Sequence, residues 1–306
     1  MTQLHHLLTL EGLDRSALLA LLDRAQEFHV RPGHASKQLD ILHNRTVANL
    51  FFEPSTRTRA SFELAARRLG ANVINLDVAL SSTVKGETLL DTLYTLQAMN
   101  VDFFVVRHRD TGVPELLAEH ALPHVHIVNA GESHVAHPTQ GLLDVLTIRQ
   151  RKPDFKDLTV AIVGDLAHSR VARSTLQALT TLGTRDIRLA GPAAWLPDDL
   201  PGKKLTDMDQ AIADADVIMM LRIQKERMEH HSMPDENDYL GRYRLDSTRL
   251  ARAKPDAIVM HPGPMNRGIE ITSDVADGPQ SVIREQVTNG VAVRMAVMAA
   301  LNESRS

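Results

Sequence analysis

Cysteine is absent from the 306 residues. That excludes disulfides, a thiolate nucleophile and any cysteine-ligated metal. No apolar run approaches the ~20 residues that a membrane-spanning helix needs. A strong charge of either sign is also missing. Net charge is −4, from 34 basic and 38 acidic side chains, so no nucleic-acid partner and no membrane surface is expected. An anionic ligand would have to be drawn by local arginines. Low-complexity segments and internal repeats are likewise missing. Histidine is plentiful, 15 in all, and pairs at His5-His6, His124/His126, His134/His137 and His230-His231. None of these pairs has HExxH spacing or an accompanying acidic cluster, so no metal and no cofactor is expected. The first six residues show no basic region leading into an apolar stretch, which points to a cytoplasmic protein.

The chain does have enough apolar substance for a large core: 43% of residues are hydrophobic, which over this length suggests two domains. Short β-branched runs at 47–52, 73–76, 103–107 and 125–128 form one set of expected strands. Runs at 158–163, 187–190, 217–221 and 257–260 form a second. Helical patterns separate most of them, as in βαβ units. The fold expected is therefore α/β, with two similar domains, each a parallel sheet flanked by helices. Asp14 is expected to cap a first helix running to about Val30. A linking helix is expected at 138–151 and a last helix through Val291, Val293, Val297, Met298 and Leu301. The domains are drawn as 1–136 and 137–289.

The most informative stretch is Phe51-Phe52-Glu53-Pro54-Ser55-Thr56-Arg57-Thr58-Arg59. A strand precedes it, and Phe62, Ala65, Ala66 and Leu69 follow at helical spacing. Ser55, Thr56, Arg57 and Thr58 thus stand where a strand gives way to a helix. The unpaired N–H groups and positive dipole end of a first helical turn attract anions. Three hydroxyls add neutral donors, and Arg57 adds a planar fork suited to phosphate. A helix cap beside a solvated arginine is the plainer alternative.

Other polar clusters follow expected strands. Ser81 to Thr88, with Lys85, reads as a loop before a helix that Ser82 or Thr88 would cap. Arg107 ends a strand. His137 precedes Pro138, which suits a first helical turn; a positive dipole end favours neutral imidazole there. Gly164-Asp165 leads from strand to helix but lacks the later glycines of GxGxxG, so nucleotide binding is not favoured. Arg170 and Arg222 each read alone as ordinary surface residues, with Gln224 two positions after Arg222. His261-Pro262-Gly263-Pro264 is a rigid turn after a strand.

Taken in order, these motifs resemble the carbamoyltransferase family along nearly the whole chain. The Pro after Glu53 leans toward the aspartate branch, and the likeness is to its catalytic chains, the aspartate carbamoyltransferases. The resemblance implies transfer of a carbamoyl group from carbamoyl phosphate to the amine of L-aspartate, giving N-carbamoyl-L-aspartate and phosphate, a step of de novo pyrimidine biosynthesis. It assigns Ser55, Thr56, Arg57, Thr58, Ser81, Lys85, Arg107, His137, Gln140, Pro262 and Gly263 to carbamoyl phosphate. Lys85, Arg170, Arg222 and Gln224 are assigned to aspartate. Arg57, Thr58, Lys85, Arg107 and His137 are the expected catalytic groups, with Thr58, Arg107 and His137 around the developing oxyanion. Phosphate itself can take the amine proton.

The family pattern further implies a homotrimer with shared sites, in which Ser81 and Lys85 reach a neighbouring subunit. It also implies a C-terminal helix, about 290–306, that packs back on the first domain, and closure of the domains around two anions. Regulatory or dihydroorotase-like chains are compatible with it. Some members carry leucine where Gly263 stands, so only its backbone carbonyl is counted. The ornithine branch has a cysteine-containing segment there, which this chain lacks. The rivals are another acceptor such as ornithine, a non-catalytic subunit of a larger complex, and an NAD-dependent oxidoreductase built on Gly164.

Overall fold

Apolar, β-branched runs bury both faces of a strand, and such strands assemble as parallel sheets covered by helices. The computed structural model describes residues 4–76, 88–224 and 236–304. In chain order its elements are α1 (Arg15–Phe28), β1 (Thr46–Phe51), α2 (Thr56–Arg68), β2 (Asn72–Leu76), α3 (Leu89–Ala98), β3 (Phe103–His108), α4 (Val113–Glu119), β4 (His126–Glu132) and α5 (Pro138–Arg151). There follow β5 (Thr159–Val163), α6 (Arg170–Leu182), β6 (Asp186–Ala190), β7 (Lys203–Leu205), α7 (Met208–Ile212), β8 (Val217–Met220), α8 (Glu236–Tyr243), α9 (Ser247–Leu250), β9 (Ile258–Met260), α10 (Ser273–Ala276) and α11 (Ile283–Glu303).

Two units emerge, Met1–Leu142 with Thr288–Ser306, and Leu143–Val287. Their boundaries fall within the helices α5 and α11, against the 136/137 and 289/290 boundaries drawn from the sequence. The first unit holds a four-stranded sheet ordered β2-β1-β3-β4, the second a five-stranded sheet ordered β7-β6-β5-β8-β9. Every pairing between these strands is parallel. The fold is α/β, with two parallel-sheet domains flanked by helices.

In the first unit Val47, Ala48 and Phe103 to Val106 are fully buried, and Phe62, Ala65, Ala66 and Leu69 bring α2 onto the core. The C-terminal stretch of α11 belongs to this unit: the Arg294 guanidinium lies 4.8 Å from the Phe62 ring centroid, and Asn302 Nδ2 donates to the Ile41 carbonyl at 3.2 Å. Asp14 caps α1 by accepting from Ala17 N–H at 2.7 Å. The helix stops at Phe28, short of Val30, because His29 turns to an extended backbone.

Three features differ from the pattern reading. β4 continues through Asn129 to Glu132, where polar residues suggested an earlier end. Asn129 is buried yet satisfied, donating to the Leu8 carbonyl and to Glu132 Oε2 and accepting from Gly131 N–H. The N-terminal segment adds a bridge beside it, with Leu7 N–H donating to the Ile127 carbonyl at 2.9 Å. The third is β7, an edge strand of sequence Lys-Lys-Leu with no alternation to reveal it.

Thr88 caps α3 through a reciprocal capping box with Asp91, as expected of that threonine. Ser81 and Lys85, and the pair His230-His231, lie outside the described residues.

Candidate active site

In open parallel sheets, ligand sites form beyond the carboxyl ends of strands, where the strand order reverses. The first sheet reverses between β1 and β3, the second between β5 and β8. The 55–58 turn and Arg107 follow β1 and β3, and Arg170, Arg222 and Gln224 follow β5 and β8, at those two places.

In the first unit Phe51 pairs with Arg107 across β1 and β3, and Phe52 N–H donates to the Arg107 carbonyl at 2.9 Å. The chain then passes Glu53 and Pro54 and enters α2 at Thr56. Ser55 occupies the N-cap position but makes no side-chain capping bond. Asp14, Thr88 and Ser169, at the same position of other helices, all do. The plain cap is thus not what the Ser55 hydroxyl does. Thr56 and Arg57 in the first turn are exposed, and Thr58 is half-buried. Arg107, with its side chain only 14% exposed, lies along the sheet end: its Nε is 3.1 Å from Glu53 Oε2, and Nη1 donates to the Ala130 carbonyl at 3.3 Å. The neighbouring His108 is held below the usual imidazole range, chiefly by burial.

β4 ends at Glu132, whose N–H donates to the Ala136 carbonyl at 2.9 Å. That tight turn delivers His137, 4% exposed, to the start of α5. Gln140 N–H donates to the His137 carbonyl at 2.9 Å, and the Gln140 side chain is buried. The three adjacent strands β1, β3 and β4 therefore carry, in order, the 55–58 turn, Arg107 and His137 at one sheet edge.

In the second unit β5 ends at Val163, opposite Met220 of β8. Gly164 follows at φ +127°, and a Cβ there would meet the Leu221 carbonyl at 3.0 Å. Only glycine allows this approach. Asp165, fully buried, then joins the two strand ends: Oδ1 accepts from His168 N–H and Nδ1, and Oδ2 accepts from Gln224 N–H at 3.2 Å. Ser169 caps α6, which puts Arg170 at its first position, 4% exposed. Arg222 and Gln224 follow β8 and are half-buried. The 261–268 loop follows β9, so β5, β8 and β9 carry Arg170, then Arg222 with Gln224, then Pro262 with Gly263.

The two units are thus alike in design, each presenting basic and polar groups beyond three neighbouring strands. The sequence reading named the groups it assigned to ligands but gave no role to the residues packed around them. Glu53, Asp165, His261 and Glu270 carry no periodic signal; only the nearness of an acid to each motif hinted at them. Among the described residues no group of three or more histidine, aspartate or glutamate side chains could hold a metal ion. No described helix is long and apolar enough to cross a membrane.

Comparison with known proteins agrees with this layout. Residues 5–150 match the model of the aspartate/ornithine carbamoyltransferase carbamoyl-P binding domain, and 156–301 match that of the Asp/Orn binding domain. Aspartate transcarbamoylase from Trypanosoma cruzi, solved with carbamoyl aspartate and phosphate, is 32% identical, with 97% of this chain and 95% of that chain covered and a TM-score of 0.87. The same enzyme with N-(phosphonacetyl)-L-aspartic acid is 31% identical over 97% and 95%, with a TM-score of 0.86. Ornithine carbamoyltransferase from Pyrococcus furiosus is equally near, 31% identical over 98% and 97%, with a TM-score of 0.87. With both domain models matched in order across nearly its whole length, the chain belongs to the aspartate/ornithine carbamoyltransferase family.

Proposed function

We propose that L-aspartate is the acceptor and that the reaction yields N-carbamoyl-L-aspartate and phosphate. The observation that carries this reading is the pair Arg170 and Arg222 at the carboxyl ends of the adjacent strands β5 and β8. A dicarboxylate offers two groups, each able to accept a guanidinium fork. A cationic acceptor would need a free carboxylate, and Arg222-Ile223-Gln224 has none. Asp165 is near, but it is fully buried and occupied by His168 and Gln224 N–H. The T. cruzi aspartate enzymes support the same acceptor; the P. furiosus ornithine enzyme makes ornithine the rival to test.

In this reading Ser55, Thr56, Arg57 and Thr58 hold the phosphate of carbamoyl phosphate, together with Ser81 and Lys85, which enter on sequence match alone. Thr58, Arg107 and His137 face the carbonyl oxygen as charge develops on it, and Gln140 takes the carbamoyl amine. Arg170 binds the α-carboxylate and Arg222 the side-chain carboxylate, with Gln224 beside them. Pro262 and Gly263 offer carbonyls to the amines. The aspartate nitrogen bonds to the carbonyl carbon, the bond from that carbon to the phosphate oxygen breaks, and the leaving phosphate takes the amine proton. Rate enhancement comes from positioning and fixed donors. Ser81 and Lys85 reach across subunits of a homotrimer, in the cytoplasm, as a step of pyrimidine biosynthesis.

The test is a carbamoyl-transfer assay with L-aspartate, L-ornithine and N-acetyl-L-ornithine. Product from aspartate alone is expected. Product from ornithine with none from aspartate would overturn the assignment.

A further inference from the structure

The loop after β9 is held by a carboxylate that touches no ligand in the reading above. Glu270 is fully buried, and its Oε1 accepts from Asn266 N–H at 2.7 Å and from His261 Nε2 at 3.2 Å. His261, 1% exposed, accepts on Nδ1 from Gly263 N–H at 2.8 Å. An imidazole that accepts at Nδ1 carries its proton on Nε2, the atom facing Glu270. The His261 backbone N–H is fixed as well, donating to Gln286 Oε1 at 3.0 Å. Gln286 Nε2 donates in turn to Asp144 Oδ1, and Thr175 Oγ1 donates to Asp144 Oδ2, each at 2.8 Å.

A buried carboxylate is costly unless its hydrogen bonds compensate. Among the described residues Glu270 Oε2 has no hydrogen-bond partner, so a carboxylate is a poor choice if loop stability alone were at stake. What Oε1 does is specific: it pins one tautomer of His261 and, through it, the N–H of a glycine at φ +64°. With N–H groups fixed at both 263 and 266, the intervening peptide planes have one orientation.

We propose that Glu270 is a positioning residue, acting through the Nε2-protonated tautomer of His261 to aim the Pro262 and Gly263 carbonyls. This rests on the reading that those carbonyls meet the substrate amines. Anion grips lie elsewhere, at Arg57, Arg170 and Arg222, so misaiming the loop should lower kcat and leave both KM values near their original levels. Misplacement by about 1 Å costs on the order of a hundredfold in rate.

The experiment compares Glu270→Gln, which keeps an acceptor, with Glu270→Leu, which does not. It also compares His261→Asn, whose Oδ1 can replace Nδ1, with His261→Gln, which cannot. Expected for Glu270→Leu and His261→Gln is a kcat per folded subunit lower by about a hundredfold, with KM values within a few-fold. Glu270→Gln and His261→Asn should recover most of it. Unchanged kcat in Glu270→Leu and His261→Gln would overturn the proposal, as would Glu270→Gln being as impaired as Glu270→Leu. Nitrogen-15 NMR of the His261 ring and the Gly263 amide reads the relay without activity. A proton on His261 Nδ1, or a Gly263 amide unmoved in every variant, overturns it. Lack of carbamoyl transfer by the unmodified protein would instead sink the functional reading and leave the relay to the NMR result. Should Glu270→Leu fail to fold, the other three variants still decide.

Discussion

Glu53 Oε2 stands 3.1 Å from Arg107 Nε, and both side chains are less than a fifth exposed. The acid just ahead of the 55–58 turn thereby pairs with the arginine of the neighbouring strand. Removing one partner of a mostly buried ion pair leaves the other uncompensated, at a cost of roughly 1–3 kcal/mol. Glu53→Ala should therefore cut kcat/KM for carbamoyl phosphate on the order of ten- to a hundredfold, and Glu53→Gln less. Steady-state kinetics with varied carbamoyl phosphate measures both.

Arg57 is exposed on the first turn of α2, free of the burial that makes an arginine structural. Arg57→Ala should keep the melting temperature and lose turnover by about a hundredfold or more, as loss of a preorganised charge donor does. A normal rate would remove the phosphate site from this turn.

Arg222→Ala should raise KM for aspartate on the order of ten- to a hundredfold while KM for carbamoyl phosphate stays close to normal. The opposite order would mean that the two substrates have been assigned to the wrong units.

Subunit sharing has its own assay. Lys85→Ala and Arg57→Ala chains, each inactive alone, should regain part of the activity when refolded together, because some sites then combine intact residues from both. Proven mixed oligomers without activity would argue for sites complete within one chain.

Acid should loosen the N-terminal segment. His6 Nδ1 accepts from Ile127 N–H at 3.0 Å. Burial, with a smaller push from His5, lowers its pKa from 6.5 to about 4. The unfolded chain thus binds this proton more readily, so the stabilisation is full above pH 6.5 and fades as pH falls toward 4. Melting temperatures between pH 7.5 and 5 should fall less in His6→Asn, whose Oδ1 still accepts but does not titrate in that range.

Much of the architecture was legible in the residues. All eight expected strands exist: a strand covered on both faces must be apolar throughout, which leaves a mark in any sequence, and even the half-exposed edge strand β2 keeps Val73, Ile74 and Leu76. Thr88 and Asp14 were readable as caps, since capping is a contact between near neighbours. β7 was not, because three residues at an edge carry no period. Asn129 misled, because a polar side chain looks like a strand end until its partners, Leu8 and Glu132, are known.

The sequence by itself determined the local chemistry: hydroxyls and an arginine where a strand meets a helix, arginines and a histidine after other strands, and no thiol anywhere. Tertiary structure alone decided which of these share an edge. Arg107 meets Glu53 because β3 pairs with β1 on the side opposite β2. His261 and Glu270 work as a pair because the loop after β9 folds back on itself. Strand order and loop return are set by packing among distant segments, and no periodicity along the chain encodes them.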